Sequence, residues 1–428
     1  MRTEQLLIAG GKVVDPCGNI CQERDILVAG GVIMPLDEKG SDCRVFDATG
    51  MIVAPGLVDL HVHFREPGGE HKEDIATGSR AAARGGFTTV CCMPNTSPTI
   101  DCREFVERVA GRGREVGLVN LLVVGALSKG LKGLELTDFA QMLAGGVCAL
   151  SDDGKTLMDD ALMHEAAHQA KELGLFITDH CENHKTIAGG VINEGETSQK
   201  LGVCGIPNSC EADIVARDIE LARRTGCHIH LQHISAKESL ELIREAKGQG
   251  LPITAETAPH YFTLTDRVIL TRGANAKMNP PLRTEADRKA VIAALIDGTI
   301  DAIATDHAPH SAEEKAQPLD RAPFGVVGLE TAFAVGYTQL VLPGHLTLPE
   351  LLRLMSANPA RILGLGREGL ATGAPANLVV FDVREPYTVD SGQFASKGRN
   401  TPFSGMKVHG RTMLTVCGGK VSFEEVSK

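Results

Sequence analysis

Two histidines separated by a single residue are the first side chains in the sequence that suggest chemistry. His61 and His63 alternate with apolar residues in the stretch 58–65. In a β-strand, residues i and i+2 face the same side, so both imidazoles would project together. Two imidazoles on one face suit a borderline-soft cation such as Zn²⁺. The pair alone leaves open a purely structural role at a strand end.

Polar residues recur at the ends of later predicted strands, and this recurrence favours a metal site. They are Asn95, Asp152, Asp153, His180, His233, His260, Asp306 and His307. These residues converge only if the strands close into a barrel. Four imidazoles and two carboxylates would suit two divalent ions bridged by a carboxylate and a hydroxide, which turn water into a nucleophile and polarise a carbonyl group.

Some histidines do not fit this pattern. His228 and His230 share one phase of their predicted strand and His233 falls in the other, so we expect the first two to face outward or to pack in layers. His307 directly follows Asp306 and is expected to face away from it.

The bridging carboxylate has more than one candidate near residue 153. A lysine that has reacted with CO₂ can bridge two metals in related barrels, which makes Lys155 an alternative. Asp153 already supplies a carboxylate at the end of that strand and is the preferred bridge. Asp152, one residue earlier, is a further alternative.

Alternating strands and helices would position these residues. After the stretch 58–65, strands are predicted at 87–93, 119–127, 147–150, 175–178, 228–232, 253–256 and 302–304. Helices are predicted at 72–84, 102–116, 139–143, 161–173, 212–224, 237–247 and 285–295. Eight strands that alternate with helices are the count of an α/β, (β/α)₈ TIM-type barrel, which carries its chemistry at the C-terminal strand ends. Residues 308–328 are polar, contain Pro and Gly, and are expected to form a loop over the site.

The two ends of the chain have a different pattern. Short strands with tight turns are predicted in residues 3–55 and again in residues 370–428, which favours a small β-sandwich or partial barrel. We therefore expect residues 1–55 and 370–428 to pair into one β-sandwich domain, and residues 56–369 to form the barrel.

Composition excludes several classes of protein. Of 428 residues, 43% are hydrophobic and 23% charged, which is typical of a soluble globular protein. The net charge of -11 argues against nucleic acid as the main partner. Several of the 12 cysteines lie in apolar runs and are expected to be reduced thiols. Without a membrane-length apolar run or a signal-like N-terminus, a cytoplasmic location is expected.

Several motifs resemble the dihydroorotase family of the amidohydrolase superfamily, in its bacterial class I form. The matching segments are 59–68 (DLHVHFREPG), 92–96 (CMPNT), 151–154 (SDDG), 180–182 (HCE), 233–239 (HISAKES), 277–283 (KMNPPLR), 304–310 (ATDHAPH) and 322–325 (APFG). The segments 93–96 and 277–283 are specific to this family and its nearest relatives. The segment 151–154 resembles the branch in which an aspartate, not a carboxylated lysine, bridges the metals.

The resemblance implies a binuclear zinc centre with two Zn²⁺ per chain. One zinc would be held by His61, His63 and Asp306, the second by His180 and His233, and Asp153 would touch both. The implied substrate-binding residues are His63, Arg65, Asn95, Asn279, His310, Phe324 and Gly325. Among them Arg65, Asn95 and His310 would bind a carboxylate, for which Arg is a rigid fork. Asn279 and the backbone of Phe324 and Gly325 would hold the amide groups of a ring.

The function implied is the interconversion of (S)-dihydroorotate and N-carbamoyl-L-aspartate in de novo pyrimidine (UMP) biosynthesis. A bridging hydroxide would attack the ring carbonyl, with Asp306 acting as general base and then as general acid. The expected partner is the small-molecule substrate, with neither nucleic acid nor membrane. A homodimer is expected, and association with aspartate carbamoyltransferase is left open.

Two alternatives remain: a different cyclic amidase, and a protein of another functional class. A hydantoinase or allantoinase would share the metal ligands, but a neutral hydantoin ring has no carboxylate for Arg65 and Asn95. A non-catalytic dihydroorotase-like scaffold for aspartate carbamoyltransferase would have lost metal ligands, whereas all six are present in this sequence.

Overall fold

A closed ring of eight parallel strands forms the centre of the molecule. The computed structural model describes residues 5–187, 189–366 and 369–425. The barrel strands are Leu57–Val62, Phe87–Cys92, Asn120–Gly125, Val147–Leu150, Ile177–Asp179, Ile229–Leu231, Ile253–Thr257 and Ala302–Ile303. They neighbour one another in chain order. A parallel bridge between Val62 and His307 brings the last strand back to the first, so the predicted barrel is confirmed.

A buried carboxylate helps to close this ring. Asp59, on the first strand, accepts hydrogen bonds from the backbone N–H groups of His61 and Thr305, each at 3.1 Å. Thr305 follows the last strand, so one side chain joins the two strands that are farthest apart in the barrel sequence. Burial raises the pKa of Asp59 to about 7.

Helices pack around the barrel close to their predicted positions. They are Ile75–Arg84, Arg103–Val116, Phe139–Gly145, Asp160–Glu172, Ser209–Thr225, Lys237–Gly248 and Glu285–Asp297. The first begins at Ile75 and not at residue 72 as predicted, because the Asp74 side chain caps it by accepting from the N–H of Thr77. After the last strand come two helical stretches, residues 332–341 and 348–362, that the sequence analysis did not identify. The first consists of Ala332–Gly336 and the π-helical Tyr337–Val341, and the second of Leu348–Leu352, the π-helical Arg353–Ala357 and Asn358–Ile362.

Strands from the N- and C-terminal parts of the chain build a four-stranded and a six-stranded sheet. The four-stranded sheet contains Val32–Met34, Ile26–Ala29, Gln5–Ala9 and Arg44–Asp47. The six-stranded sheet contains Lys420–Glu424, Arg411–Cys417, Leu378–Asp382, Ile52–Pro55, Lys12–Asp15 and Ile20–Glu23. Ile8 and Val28 of the first sheet share a buried core with Val13, Val380 and Leu414 of the second. The predicted β-sandwich is thus confirmed, whereas the domain boundaries stay a prediction.

Two further features concern membrane-spanning helices and the cysteines. Among the described residues, no helix has the length and apolar character needed to cross a membrane. The twelve cysteines all lie in the described ranges, and none of them forms a disulfide there.

Candidate active site

The six predicted metal ligands come together at the C-terminal ends of the barrel strands. His61 Nε2 lies 3.3 Å from His63 Nε2 and 3.3 Å from an Asp153 carboxylate oxygen. His63 Nε2 lies 3.2 Å from Asp306 Oδ1. On the far side of Asp153, His180 Nδ1 lies 3.0 Å from His233 Nε2. All six side chains are buried, so the barrel brings together residues that are up to 245 positions apart along the chain.

The donor atoms of this cluster fit a metal centre. His61, His63 and Asp306 offer three donors within 4.8 Å of one another, and so do His61, Asp153 and His233. His180 approaches Asp153 through Nδ1 at 3.7 Å. Imidazole nitrogen and carboxylate oxygen are the donors that zinc prefers in hydrolytic sites. The division of these ligands between two ions, with Asp153 as the bridge, stays a prediction.

The charges within the cluster stabilise one another. Burial alone would raise the pKa of Asp153, but the neighbouring charges of His61, His63 and His180 outweigh it and lower that pKa. The pKa of Asp306 is likewise lowered, against its burial, by His63 and His61. Burial lowers the pKa of His233 to about 3. Both aspartates are therefore ionised at neutral pH, as metal ligation requires.

Three of the predicted site residues have left-handed backbone conformations. The φ angles of Arg65, His233 and Asp306 are 59°, 32° and 47°. Such φ values are uncommon for residues with a Cβ and persist where the surroundings hold them. Each of these residues directly follows or lies just beyond a barrel strand, where the chain turns to direct the side chain into the cavity.

Glu256 is a functional candidate that the sequence analysis missed. It lies in the seventh barrel strand, is fully buried, and places one oxygen 3.3 Å from His61 Nδ1 and the other 3.1 Å from His230 Nε2. A carboxylate on the outer nitrogen of a metal-ligating histidine fixes its tautomer and ring orientation. The available signal was a charged residue in an otherwise uncharged strand. His230, predicted to pack in a layer or face outward, is buried and is linked to His61 through the shared Glu256 carboxylate.

Asn95 lies nearer to the metal ligands than expected. Its Oδ1 is 2.9 Å from His63 Nδ1, and its Nδ2 donates to an Asp153 oxygen at 2.8 Å. It still lines the cavity. The predicted role of Asn95 in binding a substrate carboxylate therefore stays a prediction, and the structure adds a role in orienting His63.

Glu182 orients Asn279, another of the predicted substrate-binding residues. The Asn279 side chain donates from Nδ2 to Glu182 Oε2, which leaves the Asn279 carbonyl oxygen as the group that can accept a hydrogen bond from a ligand. The same Glu182 oxygen lies 3.7 Å from His180 Nε2. The sequence analysis quoted Glu182 within a motif but gave it no role.

The other wall of the cavity is positively charged. The cavity has a volume of about 210 Å³ and is lined by Arg65, His310, Phe324 and Gly325 together with the metal-side residues. Within the described ranges, Arg65 forms no ion pair with a carboxylate; its contacts are to the Pro309 carbonyl oxygen at 3.3 Å and to His310 Nε2 at 3.5 Å. A guanidinium without a carboxylate partner in a small cavity is suited to an anionic ligand.

The loop predicted over the site is folded against it and held by two lysines. Lys315 ends the short helix Ala312–Lys315 and donates to the carbonyl oxygens of Lys277, Pro323 and Gly325 at 3.2, 2.9 and 2.9 Å. Lys277 donates to the carbonyl oxygens of Leu319 and Ala322, each at 2.7 Å. These bonds fix the shape of the chain that carries Phe324 and Gly325.

Several residues at strand ends lie apart from the cavity. Asp152 turns toward Ser128, whose N–H donates to it at 2.9 Å, and Lys155 is exposed. His307 faces away, as predicted, with Nε2 3.3 Å from Glu73. His260 is buried but does not line the cavity.

Known proteins resemble this chain over nearly its whole length. A family model described as Dihydro-orotase-like matches residues 50–239. A dihydroorotase of Pelotomaculum thermopropionicum is 47% identical over 423 residues, which cover 98% of this chain and 99% of that protein. A dihydroorotase of Bacillus cereus is 45% identical over 423 residues, with the same coverage of 98% and 99%.

Solved structures show the same fold at lower identity. An L-hydantoinase (dihydropyrimidinase) from Arthrobacter aurescens has a TM-score of 0.88 at 25% identity, covering 100% of this chain and 97% of that one. A D-hydantoinase (dihydropyrimidinase) from Thermus sp. has a TM-score of 0.85 at 26% identity, with coverage of 98% and 95%.

Proposed function

The chain belongs to the dihydroorotase family of hydrolases, which act on the carbon–nitrogen bonds of cyclic amides, and we propose that it interconverts (S)-dihydroorotate and N-carbamoyl-L-aspartate. The observation that carries the proposal is the position of Arg65. Its guanidinium has no carboxylate partner among the described residues and shares one small cavity with the His and Asp cluster. A cyclic amide that bears a carboxylate needs both features together.

The metal that we propose is zinc, two ions per chain, held by His61, His63, Asp153, His180, His233 and Asp306. When bound, zinc lowers the pKa of water and polarises a carbonyl oxygen. The donor set supports this assignment because it contains only imidazole nitrogens and carboxylate oxygens, all buried.

Residues of the opposite wall bind and orient the substrate in this proposal. Arg65, Asn95 and His310 hold the exocyclic carboxylate. The Asn279 carbonyl oxygen accepts from a ring N–H, because the amide nitrogen already faces Glu182 and, at 3.4 Å, His180 Nε2. The backbone of Phe324 and Gly325 contacts the remaining ring amide. Together these contacts fix which carbonyl group faces the metal ligands.

In this proposal, Asp306 transfers a proton from the attacking water to the leaving ring nitrogen. Its pKa is lowered, so it begins as a carboxylate and takes a proton from the attacking water. It then gives that proton to the ring nitrogen as the carbon–nitrogen bond breaks, which yields N-carbamoyl-L-aspartate. One group serves as base and then acid because it lies between the nucleophile and the leaving nitrogen. The ring-closing direction is the one that pyrimidine (UMP) biosynthesis uses.

The direct test measures metal content and turnover on one purified sample. We expect about two zinc per chain and hydrolysis of dihydroorotate, with much slower hydrolysis of dihydrouracil, which lacks the carboxylate. Metal without dihydroorotate turnover, but with turnover of hydantoin, would instead favour the hydantoinase function suggested by the structural neighbours. A sample inactive on every cyclic amide after zinc addition would favour the scaffold role.

The remaining expectations are part of the same proposal. We propose a cytoplasmic homodimer that takes a small-molecule substrate and no nucleic acid, in line with the net charge of -11. Light scattering of the purified chain, alone and mixed with aspartate carbamoyltransferase, tests the oligomeric state and that association.

A further inference from the structure

A short segment near the C-terminus leaves the small sheets and lies on the rim of the barrel. The N–H groups of Ala395 and Ser396 donate to the two carboxylate oxygens of Glu330 at 2.9 and 3.1 Å. The Lys397 N–H and the Ser396 hydroxyl donate to Glu73, the former at 3.2 Å. Two carboxylates from the barrel region therefore hold residues 395–397 in place. We name residues 395–400 the rim segment.

The rim segment is linked to the catalytic end of the last strand. Glu73 is fully buried, and its carboxylate lies 3.3 Å from His307 Nε2. His307 directly follows Asp306. A side chain from the first half of the barrel thus joins the rim segment to the residue beside the predicted general base.

Asn400, at the end of the rim segment, makes the most specific contacts. It is only 2% exposed. Its Nδ2 donates to the carbonyl oxygens of Ala308 and Gly325, each at 3.0 Å, and its Oδ1 accepts from the His310 N–H at 3.1 Å. All the hydrogen bonds of this side chain therefore go to the two backbone segments that carry His310 and Gly325.

Asn400 itself does not line the cavity, whereas Ala308, His310 and Gly325 do. It acts on any ligand only through these residues. The amide is well matched to the task because it supplies two donors and an acceptor from one planar group. The Gly325 carbonyl oxygen also accepts from Lys315 at 2.9 Å, whereas Asn400 is the donor given for the Ala308 carbonyl oxygen among the described residues. Leaving a buried carbonyl oxygen without its donor costs about 1–3 kcal/mol, so loss of the Asn400 amide should loosen the Ala308–His310 stretch in particular.

We propose that Asn400 is a positioning residue for substrate binding, which holds the His310 segment against the Gly325 segment together with the backbone hydrogen bond from the Ala308 N–H to the Val326 carbonyl oxygen at 2.8 Å. This inference rests on the proposed function, in which both segments contact dihydroorotate. The inference also gives the rim segment a supporting role behind the substrate pocket. In the chain, this segment follows strands of the small β-sandwich.

The test compares steady-state kinetics of N400D with a matched control. In N400D the shape is kept and the acceptor for the His310 N–H remains, but a carboxylate oxygen then faces the carbonyl oxygens of Ala308 and Gly325. The control is N358D, because Asn358 Nδ2 also donates to a backbone carbonyl oxygen, that of Asp301 at 2.8 Å, but at the opposite end of the last strand.

We expect N400D to raise the KM for dihydroorotate about tenfold, with kcat changed less than about threefold and zinc content unchanged. N358D should leave KM unchanged. N400S, which keeps one hydroxyl donor without adding charge, should raise KM in the same direction and serves as the test if N400D does not fold.

Other outcomes separate this inference from the proposed function. Normal KM in a folded N400D or N400S overturns the positioning role, as does a loss of kcat alone or an equal rise in KM in N358D. A wild-type chain with bound metal but no dihydroorotate turnover overturns the proposed function, and this inference with it.

Discussion

The two walls of the cavity are built in different ways. The metal wall contains His61, His63, Asp153, His180, His233 and Asp306, and each of these residues lies in a barrel strand or within three residues of its end. On the substrate wall, Arg65 also lies at a strand end, but Asn279, His310, Phe324 and Gly325 lie on longer loops. Strand ends are placed by the hydrogen bonding of the barrel, whereas the loops take their shape from side chains of other segments, such as Lys315 and Asn400.

Because the two walls are held in different ways, substitutions in them should impair different steps. On the metal wall, a substitution should change metal binding or the chemical step. On the substrate wall, it should change the affinity for substrate, even when the substituted residue never touches the substrate. The following experiments compare the walls, beginning with the largest expected effect.

Substitution D306N should nearly abolish turnover. We expect kcat to fall about 10²–10⁴-fold, because the amide cannot take the proton from the attacking water. Zinc analysis and kcat are measured together. The control is D301N at the opposite end of the same strand, where Asp301 accepts from Lys247 at 2.7 Å, and it should keep its turnover. Near-normal turnover in D306N with metal retained would remove Asp306 from the mechanism.

Substitution R65A should act mainly on substrate binding. We expect the KM for dihydroorotate to rise about 10–100-fold, since hydrogen bonds to charged groups contribute about 1.5–3 kcal/mol. The zinc content should not change. R112A removes a half-exposed guanidinium outside the cavity and should behave like the wild type. An unchanged KM in R65A would show that the carboxylate binds elsewhere.

Substitution E256Q should weaken the metal wall without touching the substrate wall. Glu256 accepts from both His61 and His230, and a glutamine oxygen can serve only one of them. We expect zinc affinity to fall about 10–100-fold, as for other partners of ligating histidines, measured by competition with a chelator. E330Q alters a buried carboxylate away from the metal ligands and should keep the wild-type zinc affinity. Equal affinities in E256Q and wild type would contradict the orienting role.

The smallest expected effect is the change in KM with pH, which depends on His310 in the substrate wall. Burial, with the positive charges of Arg65, Lys72 and Lys315, lowers the pKa of His310 to about 3. His310 therefore stays neutral, and with zinc saturating we expect KM to vary less than about twofold between pH 8 and 6. A steep rise in KM over that range would mean that His310 titrates there.

The lowered pKa of His310 also makes the free energy of unfolding depend on pH. The folded-state pKa of His310 lies below its ordinary value of 6.5, so the unfolded chain binds more protons between about pH 6.5 and 3. The free energy of unfolding should therefore fall as the pH decreases through that window. Urea unfolding of H310Q should show a shallower loss over the same pH range than the wild type.

Much of the barrel and of the metal wall followed from sequence. The alternation of apolar and polar residues around His61, and similar strand ends at Asp153, His180, His233 and Asp306, are local patterns that the chain carries in its spacing. Helix starts were less accurate, as at Ile75, because capping depends on a single side chain. The helical stretches 332–341 and 348–362 were missed; each contains a π-helical segment, Tyr337–Val341 and Arg353–Ala357, which shifts the apolar spacing away from the regular α-helical period.

The sequence by itself therefore determined the strands, their order along the chain and the residue types at their ends, because hydrophobic periodicity is a local property. The tertiary structure decided which remote side chain orients each of these residues. Glu256 beneath His61, Glu182 beside Asn279 and Asn400 between Ala308 and Gly325 are pairs separated by long stretches of chain. No spacing rule connects them, since their contact exists only after the barrel has closed and buried polar groups have found partners.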